Sequence, residues 1–446
     1  MKKRLAALFL ASVFLILSLV TTTFARSPTA LELEKEARSL EAYAGLLEDL
    51  ELKDAVRISP HLPVMPEYYC GAYLDERGQL NLMLKENAPI SAAELMRQYS
   101  GSIILEHRAL YSYNELNRVI ELLNAKRSPA MSSIGVSRWC LNEQTNRVEV
   151  YIADLTPQKE AAFKLSIYSG NEISFKNADP SEEVDWTDPS SSESPVRFDT
   201  VQETPAQAFS TSSQTILQLG DEIASRGTRI DENGQMQERF WYGSIGMKVN
   251  LGKSSNNTYT YSGFLTAAHT FGAHTTTTNG ATITYTMSND CYIRPDKSKE
   301  ISSRNSIKIG ELLTYSDGST ELLLGNGHDT AFIKLTNPAF TVEAKMRNGA
   351  YISATAELSN PISTIDPSTG QVILQGASVQ TCGRTTGINE GTVISINASI
   401  STDPNFSNFI HTTAIVKPGD SGGILSGVWI PSIQSKHLLW DHQSHS

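Results

Sequence analysis

Cysteine is scarce in this sequence, basic clusters are missing, and only one long apolar run occurs. Four cysteines among 446 residues, Cys70, Cys140, Cys291 and Cys382, fall two in each half of the chain. One disulfide per half is compatible with an oxidising compartment, Cys291 with Cys382 in the back half. Free buried thiols are the alternative, since four cysteines allow three pairings. Their spacing suits no zinc site, so no metal is expected. Lys and Arg number 37 against 48 Asp and Glu, a net charge of −11. Without a basic patch, nucleic acid is excluded as a partner.

The single long apolar run, Leu5–Val20, follows Met1-Lys-Lys-Arg4 and precedes small residues at Thr23 and Ala25. That pattern reads as a secretory signal at residues 1–25, with an uncleaved anchor as the alternative. No other segment is long and apolar enough to span a bilayer. The expected location is therefore secreted, or associated with the cell envelope, with no membrane contact after cleavage.

The acidic charge is unevenly placed. Residues 26–214 carry 18 basic and 29 acidic side chains, whereas residues 215–446 carry 16 and 19. Two separable units follow from that contrast. In the first, residues 29–58 are rich in Leu, Ala and Glu, with Leu40, Ala44, Leu47 and Leu50 at helical spacing. Tyr68–Leu84 reads as a hairpin about Asp75-Glu-Arg-Gly78, and Asn87–Glu106 as a short helix and a strand. Ser112–Lys126 is a predicted helix with apolar Leu116, Ile120 and Leu123. A second predicted hairpin runs from Ile134 to Ile152 about the turn Asn142–Asn146.

Residues 26–176 are thus an expected α+β region. Residues 177–214 are rich in Ser, Pro and acid, with little apolar content, and read as a linker open to proteolysis. From 215 onward the composition is that of an all-β domain. Its candidate strands are Gly243–Asn250, Tyr259–Thr266, Thr282–Met287, Ser306–Thr314, Thr330–Leu335 and Tyr351–Ala354. They continue with Ser378–Cys382, Gly391–Ala398, Ile410–Thr413 and Gly423–Leu425. Ten or more short strands over some 230 residues fit two antiparallel β-barrels, each of the six-stranded type.

The chemistry concentrates in Lys417-Pro-Gly-Asp-Ser-Gly-Gly423. Glycines around a serine let the backbone come close to a substrate carbonyl and take angles other residues resist. The amides of Gly419 and Ser421 could then aim at one developing oxyanion. A serine hydroxyl is a weak nucleophile, so it needs a base and an acid that orients the base. Gly263-Phe-Leu-Thr-Ala-Ala-His-Thr270 offers His269 at the end of an apolar strand. Gly327-His-Asp-Thr-Ala-Phe-Ile-Lys-Leu335 offers Asp329 at the start of one. Neighbouring His328 reads as exposed and incidental.

With T-A-A-H, D-x-A and G-D-S-G-G in that order, the chain resembles the trypsin/chymotrypsin superfamily of serine proteases. The resemblance implies Ser421 as nucleophile, His269 as general base and Asp329 as orienting acid, acting on a protein or peptide substrate without cofactor. Gly383-Arg-Thr-Thr-Gly387 is similar to a segment of the bacterial α-lytic protease and streptogrisin branch. There an arginine pairs with the aspartate before the nucleophile, which implies an Arg384–Asp420 pair here. The two helix-and-hairpin units resemble that branch's pro-regions, implying a folding assistant and inhibitor of the catalytic domain. A wall- or substrate-binding module is the other reading of that half.

On this alignment the trypsin specificity position is Ile415, and no Asp or Glu lies in His411–Lys417, so a preference for Lys or Arg is not supported. Thr270 stands where the family often has cysteine. Ser432-Ile-Gln-Ser435 resembles the start of the family's next substrate-binding strand, and the residues after it do not continue the pattern. A catalytically impaired trypsin-fold protein binding peptides or cell wall is the alternative from another class, and an esterase with the same triad is a third reading. Asn256, Asn397 and Asn405 fit the glycosylation pattern.

Overall fold

The computed structural model describes residues 29–49, 57–59, 62–63, 65–89, 103–106, 108–178, 215–230, 234–253, 259–271, 273–278, 281–295, 297, 305–314, 322–325, 328–346, 374–401, 407, 409–417 and 419–427. The expected export segment, residues 179–214 of the linker, the strand at 351–354 and the chain after 427 lie outside them.

The front half begins with helix α1, Ala30–Asp49, which buries Glu36, Ser39, Tyr43 and Leu46 on one face. Of the predicted stripe, Leu40 packs against the same core, and the side chains at 44, 47 and 50 lie outside the described residues. Two short strands, β1 (Arg57–Ser59) and β2 (Leu62–Pro63), pair with each other. The first expected hairpin is present as β3 (Tyr69–Leu74) and β4 (Leu80–Leu84). Its turn is closed by Asp75, whose Oδ1 accepts from the amides of Arg77 and Gln79 at 2.9 Å. Strand β5, Ile103–Glu106, adds in parallel to β4.

Helix α2, Tyr113–Ala125, starts where the sequence marks it. Ser112 caps the amide of Glu115, and the Glu115 carboxylate accepts from the amide of Ser112 in return. Its apolar stripe Leu116, Ile120 and Leu123 is fully buried. A short helix α3, Pro129–Ile134, leads into the second hairpin, β6 (Val136–Asn142) and β7 (Arg147–Ile152). Helix α4, Pro157–Ser166, and strand β8, Ile173–Asn177, then complete a β-α-β unit with β8 parallel to β7. These last two elements had no expected counterpart, because Ile173-Ser-Phe-Lys-Asn runs straight into polar linker sequence.

The back half is mostly strand, in keeping with its composition. In order these are β9 (Thr215–Leu219), β10 (Glu222–Ile230), β11 (Met236–Ser244), β12 (Lys248–Lys253), β13 (Tyr259–Thr266), β14 (Ala273–Thr278), β15 (Ala281–Ile293), β16 (Ile307–Leu312), β17 (Leu322–Gly325), β18 (His328–Leu335) and β19 (Phe340–Met346). After 374 come β20 (Ser378–Gly383), β21 (Gly387–Ile400), β22 (Phe409–Thr412) and β23 (Ile424–Gly427). The first large sheet is antiparallel and runs β11-β10-β15-β16-β18-β13-β12, with β14 on β15 and β17 on β18. Strand β9 lies apart, parallel to β19. The segment read as one strand, Gly243–Asn250, is the end of β11 and the start of β12. The chain bends at Gly246, whose amide donates to Leu265 O at 2.9 Å.

Strands β20 to β23 do not form a sheet of their own. Ala398, Ser399 and Ile400 of β21 pair with Cys140, Trp139 and Arg138 of β6, giving the order β23-β20-β21-β6-β7-β8. The two halves, expected as separable units, therefore share a sheet. They also share a core, in which Leu374, Ala377, Val379 and Val393 pack with Trp139 and Leu141. Polar groups finish the seam. Gln375 Oε1 accepts from the amides of Glu143 and Gln144, and Glu36 accepts from both the amide and hydroxyl of Ser378 at 2.7 Å. Asn397 is buried here and donates to Asn117 Oδ1 at 3.0 Å, so its sequon is not displayed to solvent.

Glu143 sits at this seam, and burial pushes its carboxyl up to about 8, opposed by a hydrogen bond from the Gln375 backbone amide. The phenols of Tyr43 on α1, Tyr69 on β3 and Tyr113 on α2 face it. Its Oε2 has no hydrogen-bond partner among the described residues. A carboxyl raised in the fold is protonated there while the unfolded chain has already ionised, so the fold binds the extra proton between about 4.5 and 8. Stability is therefore highest at the acid end of that window and falls as pH rises. Glu143→Gln keeps the shape without the charge. It should raise the thermal midpoint of the full chain at pH 8 by roughly 5 °C and flatten its fall between pH 5 and 8. A variant with the wild-type slope would remove Glu143 as the source.

Candidate active site

His269 lies in a single 3-10 turn, Ala268–Thr270, directly after β13. The sequence dictates the turn. Phe264 anchors β13 in the core, and the small Ala267 and Ala268 let the chain fold back tightly before Phe271 re-enters the core. The turn closes through Phe271 N to Ala268 O at 2.8 Å, and the Ser225 hydroxyl donates to Thr270 O. His269 itself is half-buried.

Asp329 is the second residue of β18, opposite Leu324 of β17. Two residues on, Ala331 pairs with Thr266 of β13. Because β13 and β18 are antiparallel, the chain leaving β13 toward His269 and the chain entering β18 through Asp329 lie at the same end of the pair.

The Ser421 turn meets that end. Asp420 N donates to Lys417 O at 2.9 Å and Gly423 N to Asp420 O at 2.8 Å, curling the chain on both sides of the serine. Gly422 has φ +80° and no room for a side chain: a Cβ there would collide with Thr266 Oγ1 and lie 2.5 Å from Ala267 N. The backbone next to Ser421 is thus pressed against the last two residues before the histidine turn. Gly419 has φ +95°, and among the described residues neither its amide nor that of Ser421 has a hydrogen-bond acceptor. Such unspent donors in a fixed turn are what an oxyanion requires.

Asp420 is buried with its carboxylate saturated. Oδ1 accepts from the amides of Thr385 (2.6 Å) and Thr386 (3.1 Å), and Oδ2 from the Thr386 hydroxyl (2.8 Å) and the Lys417 amide (2.9 Å). The expected ion pair of Arg384 with Asp420 is corrected by this geometry. Arg384 Nε donates instead to Glu222 Oε2 at 2.6 Å, and its guanidinium stacks over Tyr242 at 3.7 Å from the ring centre. Of the two readings of Cys291 and Cys382, a disulfide and buried thiols, the structure has the thiols. All four cysteines are buried thiols outside any disulfide, and these two sit in one apolar cluster, with Cys382 Sγ donating to Leu219 O at 3.3 Å. Burial pushes the Cys291 thiol well above its usual range.

Sequence reasoning missed Ser244 and Glu222. Ser244 N donates to Ser421 O at 2.7 Å, and its hydroxyl donates to Gly419 O at 3.0 Å while accepting from Arg384 N at 2.9 Å. A serine and a glutamate at strand ends carry no marker of such a role. Among the described residues no cluster of His, Cys, Asp and Glu could hold a metal ion, and no helix is long and apolar enough to cross a membrane.

No family model and no curated protein matches the chain. Among solved structures it is similar to Thermobifida fusca protease A, at 21% identity and TM-score 0.27 over 48% of this chain and 78% of that one. An α-lytic protease homolog, N4, gives 18% and 0.26 over 48% and 80%, and a Cellulomonas bogoriensis chymotrypsin 20% and 0.23 over 48% and 78%. These neighbours are serine proteases.

The Asp420 carboxylate offers a direct check. Asp420→Asn leaves at least one inward donor facing an NH2 group, and should cost about 2 kcal/mol. The denaturant midpoint of the full chain should fall with its slope unchanged.

Proposed function

We propose that the chain is a secreted serine endopeptidase made as a precursor. Residues 26–214 would be its pro-region and linker, and residues 215–446 a catalytic domain of two β-barrels. The observation that carries this reading is the Gly422 contact, which seats the Ser421 turn against the strand end leading into His269, beside the strand that carries Asp329.

In this mechanism the Ser421 hydroxyl attacks a peptide carbonyl as His269 takes its proton. Asp329 holds the imidazole in the correct tautomer and stabilises its protonated form. The amides of Gly419 and Ser421 bind the oxyanion. His269 then passes the proton to the leaving amine, the C–N bond breaks, and water repeats the sequence on the acyl-enzyme. No cofactor enters any step. The shared β21–β6 ladder and the Gln375 and Ser378 contacts support a pro-region that templates and restrains the catalytic domain.

The deciding experiment treats the secreted protein with a fluorophosphonate probe, which acylation-competent serines alone capture. Labelling should map to Ser421 and vanish in Ser421→Ala. Asp329→Asn should lower peptide hydrolysis by about 10⁴-fold. Folded, processed protein that takes no label would favour the binding-protein alternative.

A further inference from the structure

The contacts around Glu222 and Ser244 tie the expected oxyanion turn to a buried charge that the triad itself does not use. Glu222 opens β10 and is buried, yet one of its oxygens, Oε2, serves two cations: Arg384 Nε at 2.6 Å and Arg294 Nη2 at 2.8 Å. Its other oxygen has no hydrogen-bond partner among the described residues. Burying a carboxylate and two guanidinium groups is costly in desolvation, and replacing such groups by apolar side chains is often neutral or stabilising. Packing alone does not account for it. What the arrangement fixes is position.

Arg384 stands in the turn between β20 and β21, in the sheet shared with the front half, whereas Glu222 belongs to the other large sheet. Their pair pins the two sheets together beside the nucleophile turn. The Arg384 amide then donates to Ser244 Oγ, and Ser244 Oγ donates to Gly419 O. Ser244 also binds the carbonyl of Ser421 through its own amide, and its carbonyl accepts from Thr266 Oγ1 at 2.9 Å. The carbonyls on either side of the Asp420–Ser421 peptide are thus held by one residue, which fixes the Ser421 N–H between them. The guanidinium lies against the turn as well: a Cβ at Gly419 would be 2.7 Å from Arg384 Nη1.

We propose that Glu222, Arg384 and Ser244 form a positioning relay that holds the Gly419–Ser421 amides at the oxyanion. This role rests on the serine-peptidase reading above. None of the three touches the reacting atoms; each acts through the turn. Oxyanion donors act only when preorganised, and a displacement of about 1 Å costs about 10²-fold in rate. The relay therefore bears on kcat, and substrate affinity is left largely to the pocket.

The test uses the full secreted chain with Ser244→Ala, Glu222→Gln and their combination. Active sites are titrated with the fluorophosphonate, and kcat per titrated site and KM are measured on a fluorogenic peptide. Each single variant should lower kcat per site by about 10- to 100-fold with KM within roughly two-fold. The double variant should fall little further, as residues acting as one unit do, and Glu222→Asp should recover part of the loss. Should Glu222→Gln fail to fold, Ser244→Ala, which removes one hydroxyl, decides alone. A labelled wild type whose variants lose titratable sites but keep kcat per site overturns the relay and leaves the peptidase reading standing. An unlabelled wild type overturns both.

Discussion

The Asp420 carboxylate organises the back half of this protein. A buried anion needs donors on every lone pair that water no longer serves, and four converge on it from two segments. Three come from Thr385 and Thr386, and one from Lys417 at the foot of the Ser421 turn. Holding both segments in one place brings the β20–β21 connection under Gly419 and presents Ser421 at the far side of the turn. The two left-handed glycines at 419 and 422 follow from that route, since the chain must reverse twice within four residues. The Gly422 contact with Thr266 and Ala267 then closes the distance to the histidine turn.

Much of this was legible because local rules govern it. Ser112 and Glu115 are spaced as a capping box and form one. Asp75 sits where a side chain can close a hairpin turn and does so. The T-A-A-H segment is, as expected, the end of an apolar strand in small residues, and a 3-10 turn carrying His269 follows it. What could not be read is long-range. Nothing in Ile396-Asn-Ala-Ser-Ile400 says that its edge will be covered by Arg138-Trp-Cys140, because any exposed strand edge offers the same row of amides and carbonyls. The polar part of the inward face of α1 is similar, since Ser39, Tyr43 and Glu36 are matched by Gly78, Tyr69 and Ser378.

The seam between the halves has two carboxylates with different answers to burial. Glu36 lies near the start of the helix and finds two donors on Ser378, yet desolvation still outweighs them and its carboxyl is raised. Glu143 has the Gln375 backbone amide and a wall of phenols, and is raised further, to about 8. Both therefore favour an acidic medium for the joined state, by the same sign of linkage. A seam stabilised by protons is loosened by raising pH; it meets β20 at Ser378, whereas the Ser421 turn meets the opposite end of that strand at Gly383.

Arg384 shows why an ion pair inferred from a motif can go to another acid. The motif gives the arginine a negative charge to meet, but the number of donors already on Asp420 decides which one. Four hydrogen bonds, three of them from backbone amides that cannot move independently, leave the carboxylate no need of a guanidinium. Glu222 has no such set, and Tyr242 supplies a flat face on which the guanidinium rests. Once Arg384 is committed there, its own amide is placed to meet Ser244, and through Ser244 the carbonyls of the Ser421 turn. The Glu222–Arg384 pair and the Asp420 carboxylate thus meet the same turn by different routes, one through Ser244 and one through the Thr385 and Thr386 donors.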